Sequence, residues 1–495
     1  MLLAGLDVGT TGCKISAFGA EGEFLGRVYR DYQSSRTASE HEIDVLLIWK
    51  AVQEVLLEAS ARWPSIGSIG VTSFGETFVL LDKDDRPLDV SMLYTDPRGA
   101  NECEWLSEKI GRDVISRITG LNPHPMFGIS KMMWKKKHKP EIWHNVKRIC
   151  LVKDYIVYLL TGKAQIDYSL ASRTMAFDIK KLKWSDEIFD ASGIDKKLLS
   201  SPVPIGTCAG TVKQGIAESL GLKPGTLIIS SGHDQVAAAV GSGIFDEDIA
   251  VDGAGTVECI APVFSDVSNF ESMIDSGYAM VPYVEAGKYV CYAFLFTGGA
   301  AVNWFLENLA GYADLKAKEL GKSVFGYFEE HASLPTGLLV LPHFAGAATP
   351  HMDNKAKAAI VGLTLSTTQA DLFNAIMEGV CYEMRLNIEH LNEAGVYFKK
   401  MRATGGGANN RIWMQMKADI LNMPITTLGT VEAGGTGAAM MAGVASGLFP
   451  DLRLAAKIMV SKSRTYLPRK EIHDSYTVIY QKYRNLYASL RPFFA

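Results

Sequence analysis

The sequence predicts an α/β protein built as two related halves that face one cleft. Two observations carry that prediction. First, a short pattern occurs twice, as Gly5-Leu6-Asp7-Val8-Gly9-Thr10-Thr11-Gly12-Cys13-Lys14-Ile15 and as Ile249-Ala250-Val251-Asp252-Gly253-Ala254-Gly255-Thr256-Val257-Glu258. Each copy is an apolar strand, an Asp, a Gly-Thr turn and a second apolar strand. A tight Gly-rich hairpin exposes backbone N–H groups and the Thr hydroxyls add donors, which together suit phosphate. Second, 495 residues at 47% hydrophobic composition are too many for one core, and two large domains are the simplest division.

The elements follow in chain order. After the first hairpin, Asp44 to Ala59 has the apolar spacing of an amphipathic helix. Ile66–Val71 and Phe78–Leu81 read as strands, giving an α/β order. The polar, helix-prone stretch from Asn101 to Lys181 reads as an insertion that walls the cleft, with Lys131 and Trp134 candidates for that wall or for core packing. Leu227–Ser230 is a strand leading to His233-Asp234-Gln235, and a helix of small residues starts at Val236. The pattern then resets, which puts the boundary near 245 and gives domains 1–245 and 246–495. In the second half, Gly298-Gly299 leads into a helix. Ser366 to Leu391 is a long helix capped by Ser366 or Thr367, with Gly395 after its end. Met401–Asn410 runs from strand into a glycine loop, and the helix Ile412–Leu421 follows. Glu432–Ala439 begins a helix whose small face permits close packing, and the chain closes on a Tyr-rich helix.

Bulk properties narrow the function. A formal net charge of −4 gives no basic surplus for nucleic acid or an anionic membrane. Seven scattered cysteines without a Cys-x-x-Cys argue against a disulfide framework or a zinc site, and a reducing, cytoplasmic setting is expected. Met1–Leu6 reads as a buried first strand rather than a leader, and no apolar run approaches the length of a membrane span.

The chemistry lies in a few residues. Asp7 beside the Gly9-Thr10-Thr11 turn and Lys14 places a carboxylate next to a phosphate loop, which calls for a cation between them, and Mg²⁺ fits. The alternative is an ordinary Asp-Gly hairpin turn. Gly255 and Thr256 keep the same donors in the second copy. Gly405, Gly406, Gly407, Asn409 and Asn410 precede a helix, where a ligand can lie against backbone and a helix N-terminus favours an anion. Neither a Walker loop nor a dinucleotide fingerprint is present. Asp234 stands at the carboxyl end of an apolar strand, where it could take a proton from an attacking hydroxyl or simply cap a helix. Glu76 interrupts a strand-like run, and Asp96 and Arg98 occupy a turn. These can bind sugar hydroxyls or be solvated loop charges.

Together, Asp7-Val8-Gly9-Thr10-Thr11, the Gly70-to-Asp82 strand pair, Lys131-x-x-Trp134, Gly232-His233-Asp234-Gln235, Asp252-to-Thr256 and Gly405-Gly406-Gly407-Ala408-Asn409-Asn410-x-x-Trp413-x-Gln415-x-x-Ala418-Asp419-Ile420 resemble the FGGY carbohydrate kinase family over essentially the whole chain. The resemblance implies two duplicated ribonuclease H-like domains of the actin, Hsp70 and hexokinase type, and ATP-dependent phosphorylation of a sugar or polyol hydroxyl. It implies Asp234 as general base and Asp7 as a holder of Mg²⁺. Thr10, Thr11, Lys14, Gly255 and Thr256 would serve the phosphates, and Gly299, Gly405, Gly406, Asn409 and Asn410 the nucleotide. Glu76, Thr77, Asp96, Arg98, Asp234 and Gln235 would bind the acceptor. The general pattern is similar to xylulokinases, which carry Met-His where this chain has Gly75-Glu76. Glu76-Thr77 and Asp234-Gln235 are similar to glycerol kinases, which carry an Arg at the place of Gly75. Gly232-His233-Asp234 is similar to deoxysugar kinases such as fuculokinase. A ketopentose such as xylulose ranks first and a homodimer stays open. An actin- or Hsp70-like ATPase, or a sugar sensor without catalysis, is the alternative; Asp7, Asp234 and Glu76 favour the kinase.

Overall fold

The structure is a computed structural model that describes residues 1–265, 270–331, 333–429 and 432–494. It divides into two compact units. The first takes in Met1–Phe245, Ala279–Val290 and Glu432–Ser461, and the second Asp246–Tyr278, Cys291–Val431 and Lys462–Ala495. Two later segments thus group with the N-terminal one, which a single cut near 245 does not capture.

The first unit is organised on a six-stranded sheet in the order Thr207–Thr211, Leu227–His233, Ile66–Ser73, Leu2–Val8, Gly12–Phe18, Phe24–Asp31. The central pairings are parallel, Leu2–Val8 with Ile66–Ser73 and that strand with Leu227–His233, while the hairpin and the outer strands are antiparallel. The second unit repeats this plan. Six of the seven strands of its sheet, Lys462–Tyr466, Ile425–Leu428, Lys400–Thr404, Ile249–Ala254, Glu258–Phe264 and Tyr289–Leu295, follow one another in the same sense. Again the two central pairings are parallel and the Asp-bearing hairpin is antiparallel. The duplication read from a dozen residues therefore extends through each sheet.

The helix expected after the first hairpin spans Val45–Arg62, with the Asp44 carboxylate accepting from Leu46 N at 2.9 Å as its N-cap. Its buried stripe of Ile48, Val52, Val55, Leu56 and Ala59 joins Leu6, Ile15, Ile69 and Val71 of the sheet in one core. Each Ile, Val and Leu among them contributes roughly 1.5–3 kcal/mol of burial energy. On the other side of the sheet lies the helix Ala433–Ala445, and small residues let it approach closely. A Cβ at Gly5 would fall 1.9 Å from the Gly435 carbonyl oxygen, and one at Gly437 would fall 1.9 Å from that of Ala237. The small face has that packing role.

The insertion is mixed rather than uniformly helical. Phe78–Leu81 pairs antiparallel with Arg148–Leu151, outside the main sheet; the helices Ala100–Ile110 and Gly128–His138 lie between these strands in sequence and Val152–Thr161 follows them. In the second unit the long helix runs Gln369–Glu393. Its N-cap is Thr368, not Ser366 or Thr367, because Asp371 three positions on completes a capping box with Thr368. Among the described residues no helix is long and apolar enough to cross a membrane.

Candidate active site

Within the first unit the sheet register sets the first cluster. Asp7 lies directly across the hairpin from Lys14, and their charged groups approach to 3.3 Å. Lys14 also reaches Glu432 at 2.6 Å, and Arg27 pairs with the same Glu432. Burial pushes the Asp7 carboxyl up to about 6. Lys14 opposes that shift, while the charges of Asp234 and Glu432 reinforce it. The turn is closed by Gly9 N donating to Gly12 O at 2.9 Å, with Tyr32 Oη donating to Gly9 O at 2.5 Å. Thr11 is exposed and Thr10 partly so.

His233 ends the strand and Asp234 opens the helix Asp234–Gly241; the N-cap position is His233, so Asp234 is not the cap. Asp234 Oδ1 has no hydrogen-bond partner among the described residues. His233 Nε2 lies 3.3 Å from that oxygen. Burial, then the Arg173 charge, push His233 down to about 4, so the imidazole is neutral at pH 7 and the contact is no ion pair. Burial pushes the Asp234 carboxyl up to about 6, against Gln235, Arg173 and Lys14, which favour the ionised form. The strand end is fixed from below. Ser169 Oγ accepts from His233 N at 2.9 Å and donates to Asp167, which is paired with fully buried Lys153.

Glu76 is buried at a left-handed backbone position, φ 65°, which non-glycine residues seldom adopt. Its Oε1 accepts from Arg173 Nε at 2.6 Å and is paired with Arg173 Nη2. Thr77 Oγ1 is buried without a hydrogen-bond partner among the described residues. Tyr94, 39% exposed, feels the charges of both Glu76 and Asp234, which raise its hydroxyl pKa further after burial.

Asp96 and Arg98 are committed to one another. Asp96 Oδ1 accepts from Arg98 N and Nε, both at 2.9 Å, and its Oδ2 accepts from His41 N at 2.8 Å. Arg98 continues to Glu40 at 3.0 Å and Glu42 at 2.5 Å, and lies 5.0 Å over the Trp134 ring. Lys131 is fully buried beneath, donating to the Asp96 carbonyl and to the Arg98 carbonyl at 3.3 Å. Burial holds its ammonium down at about 8. Lys131 and Trp134 therefore brace this turn.

In the second unit Gly255, Thr256, Gly299, Gly406 and Asn410 come together around a cavity of about 400 Å³, with Phe325 and Trp413 as aromatic walls. Close backbone approach explains two of the glycines: a Cβ at Gly299 would lie 2.7 Å from Gly255 O, and one at Gly405 2.5 Å from Ala254 O. Asn410 caps the helix Arg411–Leu421, its Oδ1 accepting from Trp413 N at 3.0 Å. Gly405 and Asn409 line a neighbouring cavity of about 520 Å³ instead. Asp252, the counterpart of Asp7, is sealed: Lys417 Nζ binds its Oδ2 at 2.7 Å and also pairs with Glu258, all three side chains at 0% exposure.

Sequence reasoning passed over Arg173, Tyr94, Ser169 and Lys417. Tyr94 adjoins the turn that was singled out. The other three are lone residues inside helical or polar stretches, and no spacing marks them.

Residues 2–241 match the FGGY family of carbohydrate kinases, N-terminal domain, and residues 255–446 match its C-terminal domain. Similar proteins include a xylulose kinase of Lactococcus lactis subsp. lactis, 29% identical over 98% of this chain and 96% of that one. A glycerol kinase of Bacillus licheniformis is 28% identical over 90% of each. Among solved structures, a ligand-bound xylulose kinase from Lactobacillus acidophilus superposes with a TM-score of 0.89 at 25% identity, covering 99% of this chain and 98% of that one. A repeated Asp-Gly-Thr hairpin on two sheets of one plan, with matches spanning both, places the chain in the FGGY family: it is a carbohydrate kinase.

Proposed function

We propose that this kinase transfers the γ-phosphate of ATP to a hydroxyl of a ketopentose of the xylulose type. The observation that carries the chemical reading is Asp234, a carboxylate at a strand end whose Oδ1 has no hydrogen-bond partner among the described residues and which titrates near 6. It is ionised at pH 7 and still basic enough to take a hydroxyl proton in the transition state. The sugar oxygen attacks the γ-phosphorus, its proton passes to Asp234, and ADP leaves. No covalent phospho-enzyme is needed, because positioning and charge stabilisation suffice for this transfer.

ATP fits the cavity of the second unit, where Gly255, Thr256 and Gly299 offer backbone and hydroxyl donors, and Gly406 and Asn410 flank the aromatic walls. Mg²⁺ fits at Asp7. That carboxyl is pushed up by burial and by acidic neighbours, the situation a cation relieves, and one carboxylate with waters and phosphate oxygens is an ordinary Mg²⁺ set. The ion would neutralise developing phosphate charge. Lys14, held between Asp7 and Glu432, would add to it.

The ketopentose rests on the curated relatives named as xylulose kinases, which align over 98% of the chain. A polyol is the second reading, favoured by the buried Glu76 with Thr77 beside it. ADP release from Mg-ATP should rise when D-xylulose is added and rise less with glycerol, L-fuculose or D-gluconate. Stimulation by glycerol alone would replace the first reading with the second, and no stimulation by any acceptor would remove both.

A further inference from the structure

We infer that Arg173 is the positioning residue that sets acceptor selectivity, by holding Glu76 so that one carboxylate oxygen faces the acceptor beside Asp234. This rests on the reading of Asp234 as base. Both Nε and Nη2 of Arg173 engage the same oxygen, Oε1 of Glu76. Both of these contacts fall on Oε1, and Oε2 is assigned to accept from an acceptor hydroxyl. The arrangement is built. Glu76 is kept at φ 65°, and the guanidinium carbon lies 5.0 Å from the centre of the Phe127 ring. A Cβ at position 75 would come within 3.0 Å of Arg173 Cγ and 3.1 Å of His233 Cδ2. Arg173 and His233 thus both pack closely on Gly75, next to Glu76 and the Asp234 turn.

Two consequences follow for the acceptor. Glu76 Oε2 and Asp234 are two hydrogen-bond acceptors in one site, so the site matches a chain with two donor hydroxyls and repels a carboxylate or phosphate. The class is an uncharged polyhydroxylated chain. The charges of Arg173 and Lys14, with Gln235, also favour the ionised form of Asp234, in surroundings shared with Asp7, Tyr94 and neutral His233. Loss of Arg173 therefore raises the pH at which the base becomes active.

The test measures initial rates with D-xylulose, glycerol and D-gluconate across pH 5–9 for wild type, Arg173→Met, Arg173→Lys, Glu76→Gln and the double variant Arg173→Met/Glu76→Gln. Arg173→Met should raise the acceptor KM by about 10- to 100-fold, the range of one hydrogen bond to a charged group. It should move the acid limb to higher pH and leave the ATP KM unchanged. Arg173→Lys should restore the limb but not the KM, since an ammonium keeps the charge and lacks the fork. Glu76→Gln should raise the KM without moving the limb upward and should admit D-gluconate better. The double variant removes both buried charges and keeps the test informative if Arg173→Met does not fold; its acceptor KM should equal that of Glu76→Gln. An unchanged KM and limb in Arg173→Met, or a double variant that binds acceptor like wild type, overturns the inference. Full turnover in Asp234→Asn instead removes the base reading while the Glu76 effects on KM stand.

Discussion

Lys417→Met tests the sealed second hairpin. Lys417 is the cation paired with Asp252 and Glu258, and all three side chains are fully buried. Methionine fills a similar volume, so packing is nearly kept and the charge alone is lost. Removing one partner of a buried pair costs about 3–5 kcal/mol, since the remaining charge has neither water nor counter-ion. The protein can limit the cost by protonating a carboxyl. Burial and the Asp252 charge already hold Glu258 well above its ordinary range, and Lys417 opposes them, so its loss raises that carboxyl further. A carboxyl whose folded pKa lies above its unfolded value gives stability at low pH and loses it as pH rises through the folded value. The deficit of the variant should therefore be smaller at pH 5 than at pH 8, where it should reach about 3 kcal/mol or more. Urea unfolding at the two pH values reads it as a midpoint that falls by about 1 M or more at pH 8, for a slope near 2–3 kcal/mol/M. A variant that unfolds with wild type at pH 8, or whose deficit shrinks as pH rises, refutes the reasoning.

Two further predictions follow. The acid limb of kcat/KM should lie near pH 6 and cost about tenfold by pH 5, because the base must be ionised and Asp234 titrates near 6; a limb near 4 contradicts it. Gly437→Ala should destabilise the first unit by about 1–3 kcal/mol through overpacking, because its Cβ would meet the Ala237 carbonyl at 1.9 Å; thermal unfolding unchanged from wild type contradicts it.

What was legible in the chain was local and repetitive. The two hairpins declared themselves because a β-turn beside a phosphate requires particular residues, Gly and Thr, at fixed spacing. The helix Val45–Arg62 was visible in its apolar stripe and Asp44 cap, and the glycines around the second-unit cavity in their run. The partners were not legible. Arg173 meets Glu76 across 97 positions and Lys417 meets Glu258 across 159, and nothing in a single sequence marks such pairs. The same limit hid the asymmetry of the hairpins. Asp7 keeps Lys14 across the strand pair and a side chain 14% exposed, whereas Asp252 is closed off by a lysine arriving from a distant helix. It also concealed the return of Ala279–Val290 and Glu432–Ser461 to the first unit, because sheet and helix patterns carry no address. Asp96 and Arg98 show the converse: polar residues beside an expected site can spend their hydrogen bonds on each other.

The central claim is that Asp234 takes the acceptor proton. Asp234→Asn keeps size and shape and removes the base. Steady-state turnover with D-xylulose, measured beside the Kd of Mg-ATP, should fall by about 10²- to 10⁴-fold while nucleotide affinity stays within about twofold. Turnover within tenfold of wild type, with the nucleotide still bound, would contradict the account.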